Sequence, residues 1–237
     1  MTWLASAALT LLAQAHGVAQ EPSKPPSARS VIPPAEGSEA KRPPVYKVTE
    51  GKAQTAMFGL VGEGYKFAYV VDRSGSMGGA GRVALRAVKE ELARSLETLD
   101  SIHQIQIIFY NEKPVVFNPS GTRGRLAFAT EQNKQRAVRF METITADGGT
   151  RHDDALLRAI ALRPDVIFWL TDGDKPQLSS DEIEKIAGKA AGTIVHAIEF
   201  GIGPAPAEKS FLAVLAQKTG GKHTYVDLSG RLRPGKP

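Results

Sequence analysis

The sequence predicts an α/β fold: a doubly wound, mostly parallel sheet with helices on both faces and one short antiparallel edge strand. Three observations predict it. The runs Phe67–Val71 and Asp165–Thr171 are largely apolar and uninterrupted, as in strands buried on both faces. Between such runs the apolar residues recur at helical period. The first and fourth strands each end at an aspartate that opens a glycine-containing turn, Asp72 to Gly81 and Asp172 to Asp174.

Taken in order, the first strand is Tyr65–Asp72. A helix over Val83–Leu99 follows, with Val83, Leu85, Ala87, Val88, Leu92, Leu96 and Leu99 as its apolar stripe. The second strand is His103–Tyr110. Asn111-Glu112-Lys113 then reads as a tight turn into a short strand, Val115–Phe117. That strand should run antiparallel, because a parallel return needs a crossover of about a dozen residues or more. A loop with Asn118, Pro119, Gly121 and Gly124 leads to a helix over Glu131–Thr143. The turn Thr145–Thr150 precedes a second helix, Asp153–Leu162, which stops before Pro164. The fourth strand, Asp165–Thr171, should be central. Ser179 or Ser180 caps a helix over Asp181–Ala191 with an acidic first turn. Thr193–Phe200 is the fifth strand, Lys209–Lys218 the last helix and His223–Asp227 a final edge strand. The order βαββααβαβαβ is that of a doubly wound sheet.

On this reading residues 65–228 form the domain and 229–237 a C-terminal tail. Residues 45–64 are ambiguous; Met57, Phe58, Leu60 and Val61 suit a short segment against the domain edge. Residues 21–44 hold seven of the fifteen prolines and no aromatic residue, as expected of a flexible spacer. Within residues 1–20, Leu4–Ala15 is apolar apart from Ser6, Thr10 and Gln14 and ends in Ala13-Gln14-Ala15. It resembles the back half of a secretory signal or the remnant of an anchor, although no Lys or Arg precedes it. It is shorter than the roughly 20 apolar residues of a spanning helix. The expectation is export or membrane tethering through the N-terminus, in a periplasmic or extracellular part of the cell envelope.

Composition narrows the chemistry. The 237 residues contain no cysteine, which excludes disulfides, thiolate metal sites and cysteine nucleophiles. The formal charge is +5, but Lys and Arg are spread over tail, helices and loops. Nucleic acid is therefore not expected as a partner.

Three segments carry the site: Asp72-Arg73-Ser74-Gly75-Ser76, Gly149-Thr150 and Thr171-Asp172-Gly173-Asp174. If the first and fourth strands are neighbours, Asp72 and Asp172 face each other across the switch crevice. An all-oxygen donor set without a histidine or thiolate pattern suits a hard octahedral ion, Mg²⁺ with Mn²⁺ as substitute. Suppose Ser74, Ser76 and Thr150 contact the ion while Asp72 and Asp172 act largely through water. The ion then keeps positive charge and one exchangeable position, which an acidic side chain of a protein partner would fill. Arg73, Gly75, Gly149, His152 and Asp174 are candidates for the rim or outer shell.

Asp72-x-Ser74-x-Ser76, with Thr150 and Asp172, resembles the metal-ion-dependent adhesion site of the von Willebrand factor type A family, as in integrin I domains. Gly148-Gly149-Thr150 and Leu170-Thr171-Asp172-Gly173 resemble the bacterial members. The likeness covers about residues 65–227. It implies a Rossmann-like fold, direct coordination by both serines and the threonine, and aspartates that help hold the ion. It also implies a partner that supplies Glu or Asp, hence an adhesion or scaffolding role and no enzymatic one. The proline-linked layout resembles envelope-associated bacterial members.

Enzyme readings fit less well. Gly79-Ala80-Gly81-Arg82-Val83-Ala84 matches the GxGxxA dinucleotide pattern, but Asp72–Gly78 separate it from the strand end. The acid expected for a ribose falls at Asp100, before the second strand rather than after it. A phosphoaspartyl hydrolase would need a second aspartate where Ser74 stands. A metal-dependent hydrolase using the same site is the alternative, with no base or nucleophile to assign.

Overall fold

Strands form where the apolar runs lie, and their alternation builds a core on each side of the sheet. The computed structural model describes residues 51–122, 124–207 and 209–231. The leader and spacer expected in residues 1–44, residues 45–50 and most of the expected tail lie outside the described residues. The elements are β1 (Ala53–Met57), β2 (Leu60–Gly64), β3 (Lys66–Asp72), α1 (Gly79–Glu97), β4 (Gln104–Tyr110), β5 (Val115–Val116) and β6 (Ala127–Phe128). They continue with α2 (Glu131–Glu142), α3 (His152–Ala161), β7 (Val166–Thr171), α4 (Ser180–Lys189), β8 (Ile194–Gly201), α5 (Phe211–Lys218) and β9 (His223–Asp227).

The main sheet has the order β5-β4-β3-β7-β8-β9, with β6 also on β4. β3, β4, β7, β8 and β9 are mutually parallel. β5 and β6 run antiparallel to β4, so the one antiparallel strand expected is joined by a second. Each is two residues long, too short for alternation to reveal β6. Because β4 lies on one side of β3 and β7 on the other, the strand order reverses at β3.

Successive residues of β3 face opposite ways. Phe67, Tyr69 and Val71 pack with Val88, Leu92 and Leu96 of α1 and Met141 of α2. Ala68 and Val70 pack with Leu156 of α3, Ile186 of α4 and Leu215 of α5. Full burial of each Val, Leu, Ile, Phe or Met side chain among them contributes about 1.5–3 kcal/mol.

The ambiguous stretch before Tyr65 is a hairpin, β1 antiparallel to β2. Its two-residue loop is Phe58-Gly59, with φ of 48° and 83°, the positive values that a type I′ turn requires. Ala53 and Met57 are buried in the core on the α1 side. Thr55 Oγ1 lies 2.6 Å from Ser95 Oγ, which lies 2.8 Å from the Tyr69 hydroxyl. Three buried hydroxyls thus satisfy one another.

Helix α1 starts four residues before the apolar stripe. A 3₁₀ turn, Gly75–Gly78, feeds straight into it. Gly78 allows a close approach there: a Cβ at that position would lie 2.6 Å from the Ala146 Cβ. The cap of α4 is Ser179, in a reciprocal box with Glu182. Among the described residues, no helix is long and apolar enough to cross a membrane.

Candidate functional site

β3 ends at Asp72 and its neighbour β7 at Thr171, so both strand ends open into one crevice. Asp72 is 0% exposed. Its Oδ1 accepts the Ser74 amide and its Oδ2 the Thr171 hydroxyl, both at 2.7 Å. Burial pushes the carboxyl from 3.8 up to about 6; these hydrogen bonds oppose the rise and the charge of Asp172 adds to it. The hydroxyls of Ser74 and Ser76 lie 3.1 Å apart. Across the crevice, Asp172 Oδ1 accepts the Asp174 amide at 3.3 Å and ties the turn after β7.

Thr150 arrives from the loop between α2 and α3. That loop is held against the turn after β3: Arg73 O accepts the Asp147 amide at 2.9 Å, and Gly75 N donates to Gly148 O at 3.0 Å. Thr150 follows Gly148 by two residues, at most about 8 Å of chain. Gly148 has φ +70°, a conformation that favours glycine, and a Cβ on it would lie 2.9 Å from Asn111 Nδ2. Gly149 N donates to Glu112 Oε1 at 3.2 Å. All three sequence segments therefore meet at one end of the sheet.

The five residues expected at the rim divide. Gly75 and Gly149 lie on the two apposed loops, and Asp174 is exposed beside Asp172. Arg73 does not lean over the crevice; its guanidinium is drawn back to Thr145 O, at 3.2 Å, and to the Asp147 carboxylate. His152 is not at the surface either. It is the first residue of α3 and only 2% exposed, its ring turned in among Tyr110, Trp169 and Phe211.

Sequence reasoning missed what lies beneath the crevice. The Tyr110 hydroxyl accepts from Trp169 Nε1 and pairs with His152 Nδ1, both at 2.8 Å. Burial raises the Tyr110 phenol well above its ordinary value, and burial lowers His152 to about 4, so both are neutral at pH 7. Separations of 42 and 59 residues leave no local signal for this triad. Thr171, the partner of Asp72, carried no signal beyond its place next to Asp172.

The donor chemistry fits a hard cation. Among the described residues no group of three or more His, Cys, Asp or Glu is placed to hold a metal. The oxygens gathered here instead come from two carboxylates and several hydroxyls. Asp72 is a fully buried acid whose two hydrogen bonds come from neutral groups, a costly arrangement until a positive charge arrives.

Fold and crevice together define a doubly wound α/β domain with carboxylate and hydroxyl oxygens at its switch point. Residues 67–175 match the family model for the von Willebrand factor type A domain. It is similar to human inter-alpha-trypsin inhibitor heavy chain H4, 30% identical over 119 residues. That match covers 45% of this chain and 12% of the heavy chain. Heavy chain H2 of Mus musculus is 29% identical over 150 residues, covering 57% of this chain and 15% of its own. The match thus spans under a sixth of either relative. Among solved structures, a von Willebrand factor type A protein from Catenulispora acidiphila superposes with TM-score 0.61 at 21% identity, covering 73% of this chain and 41% of that one. BatB from Bacteroides thetaiotaomicron gives TM-score 0.51 at 18% identity, covering 69% and 91%. Proximal thread matrix protein 1 of the mussel byssus, in a form with a zinc-occupied MIDAS motif, gives 0.51 at 14% identity, covering 70% and 44%.

Proposed function

We propose that this domain is a divalent-cation-dependent protein-binding module. Asp72, Ser74, Ser76, Thr150 and Asp172 would hold Mg²⁺, with Mn²⁺ as substitute. When bound, the ion supplies a Lewis-acidic position that an Asp or Glu of a partner protein fills. The protein's part is to present neutral hydroxyls on two loops and to keep both carboxylates in the crevice, so that the ion is held without being fully neutralised. The observation that carries the reading is the apposition of the Thr150 loop to the Ser74 turn through Gly75 N and Gly148 O. The byssus protein, whose motif is described as zinc-occupied, supports divalent binding in this fold. The apolar run at Leu4–Ala15 and the proline-rich residues 21–44 support export, with tethering at the cell envelope.

Thermal unfolding in Mg²⁺ and in EDTA tests the proposal. Mg²⁺ at 100-fold over its Kd should add about 2.7 kcal/mol, and Asp172→Ala should abolish the gain. A partner captured from an envelope fraction should be released by EDTA and ignored by Asp172→Ala. A wild-type domain indifferent to Mg²⁺ and Mn²⁺ would refute the reading, and metal-dependent turnover of a phosphoester or ester panel would replace it with a hydrolase.

A further inference from the structure

We infer that Arg73, Asp147 and Asn111 are positioning residues that set the cation affinity by locking the Thr150 loop onto the Ser74 turn; this rests on the cation-binding reading above. Arg73 sits between Asp72 and Ser74 in sequence, yet its Nη1 donates to Thr145 O at 3.2 Å and to Asp147 Oδ1. The same Asp147 oxygen accepts Asn111 Nδ2 at 2.9 Å, and that amide also donates to Asp147 O at 3.0 Å. Backbone bonds complete the stitching: Arg73 N to Tyr110 O at 2.7 Å, Asp147 N to Arg73 O at 2.9 Å and Arg151 N to Asn111 O at 2.9 Å. The loops after β3, β4 and α2 are thereby joined on both sides of Thr150.

The clamp matters because of where Thr150 sits. Asp72 and Asp172 are fixed by central strands, and Ser74 and Ser76 by the turn into α1. Thr150 lies in a loop between two helices that contains Gly148 at φ +70°, outside any strand or helix that would fix it. Order not built into that loop beforehand is charged to cation binding. The clamp supplies it without altering the site's net charge, since one guanidinium meets one carboxylate. The Asp147 side chain is 63% exposed, so its half of the pair adds little to global stability. The effect therefore falls on the loop and on the ion, not on the fold.

The experiment titrates Mg²⁺ into the wild-type chain, Arg73→Met, Asp147→Ala, their double variant and Arg73→Lys by calorimetry. Hydrogen exchange at residues 148–151 is followed without metal. Arg73→Met and Asp147→Ala should each bind Mg²⁺ about 10-fold to 100-fold more weakly, the range seen when groups that orient metal ligands are lost. The double variant should bind no worse than the weaker single, and Arg73→Lys should recover most of the loss. Exchange at 148–151 should quicken while metal-free melting stays near wild type. Should Arg73→Met fail to fold, the isosteric Asp147→Asn carries the same test. Wild-type Mg²⁺ affinity in folded Arg73→Met and Asp147→Ala, or unchanged exchange, would overturn the inference alone. A wild-type chain that binds no Mg²⁺ would overturn the proposed function and this inference with it.

Discussion

Replacing Asp72 by Asn should make the metal-free domain more stable and its cation response vanish. Asp72 is 0% exposed, and burial raises its folded-state pKa from 3.8 to about 6. An acid whose folded value is raised stabilises the fold only while protonated: the benefit is complete below about 3.8 and is lost as pH rises through about 6. At pH 7 the ionised group therefore costs about 3 kcal/mol, at about 1.4 kcal/mol for each tenfold change. Asn keeps the acceptor for Ser74 N and turns an amide toward Thr171 Oγ1, so the two bonds at 2.7 Å have replacements. In EDTA at pH 7 the variant should gain up to about 3 kcal/mol, or roughly 6–12 °C in Tm for a domain of this size. At pH 4 the gain should disappear, because the wild-type carboxyl is then largely protonated. Urea unfolding at both pH values, with and without Mg²⁺, measures all of this. An Asn variant no more stable than wild type at pH 7, or one that keeps the Mg²⁺ gain, would refute the reasoning.

Other substitutions probe other parts. Gly148→Ala puts a side chain at φ +70° and 2.9 Å from Asn111 Nδ2; urea unfolding should show a loss of about 1–2 kcal/mol, and calorimetry weaker Mg²⁺ binding. Thr55→Val breaks the hydroxyl chain to Ser95 and Tyr69 and should cost about 1–3 kcal/mol in urea unfolding, with Mg²⁺ affinity unchanged. Burial alone would raise the Glu199 carboxyl, but hydrogen bonds from His223 and Ser210 bring it below its ordinary 4.5. That contribution is present above 4.5 and lost as pH falls through the depressed value. Glu199→Gln should therefore be less stable than wild type at pH 7 in urea, and the difference should shrink toward pH 3.

The parts of this molecule legible in sequence are those written in local pattern. β3 and β7 announce themselves because both of their faces are buried, and Asp72 and Asp172 because one ends β3 and the other directly follows β7. The hairpin before Tyr65 was hidden by its loop: phenylalanine at φ 48° is not a residue that marks a turn. The start of α1 was hidden by Gly79 and Gly81, which read as loop until Gly78 is placed against Ala146. Arg73 illustrates the remaining limit. Its neighbours in sequence are site residues, so the rim was the natural expectation, yet its carboxylate partner lies 74 positions away. His152 follows the same rule, with Tyr110 supplying its partner from 42 positions back. Contacts set by topology rather than by spacing leave no trace in one chain.

Crystals of the domain soaked in Mn²⁺ and measured for anomalous scattering at the manganese edge test the central claim most directly. One strong peak is predicted in the crevice, about 2.0–2.2 Å from the hydroxyl oxygens of Ser74, Ser76 and Thr150, with an open position facing solvent. A peak that contacts none of these hydroxyls, or no peak at saturating Mn²⁺, would contradict the account.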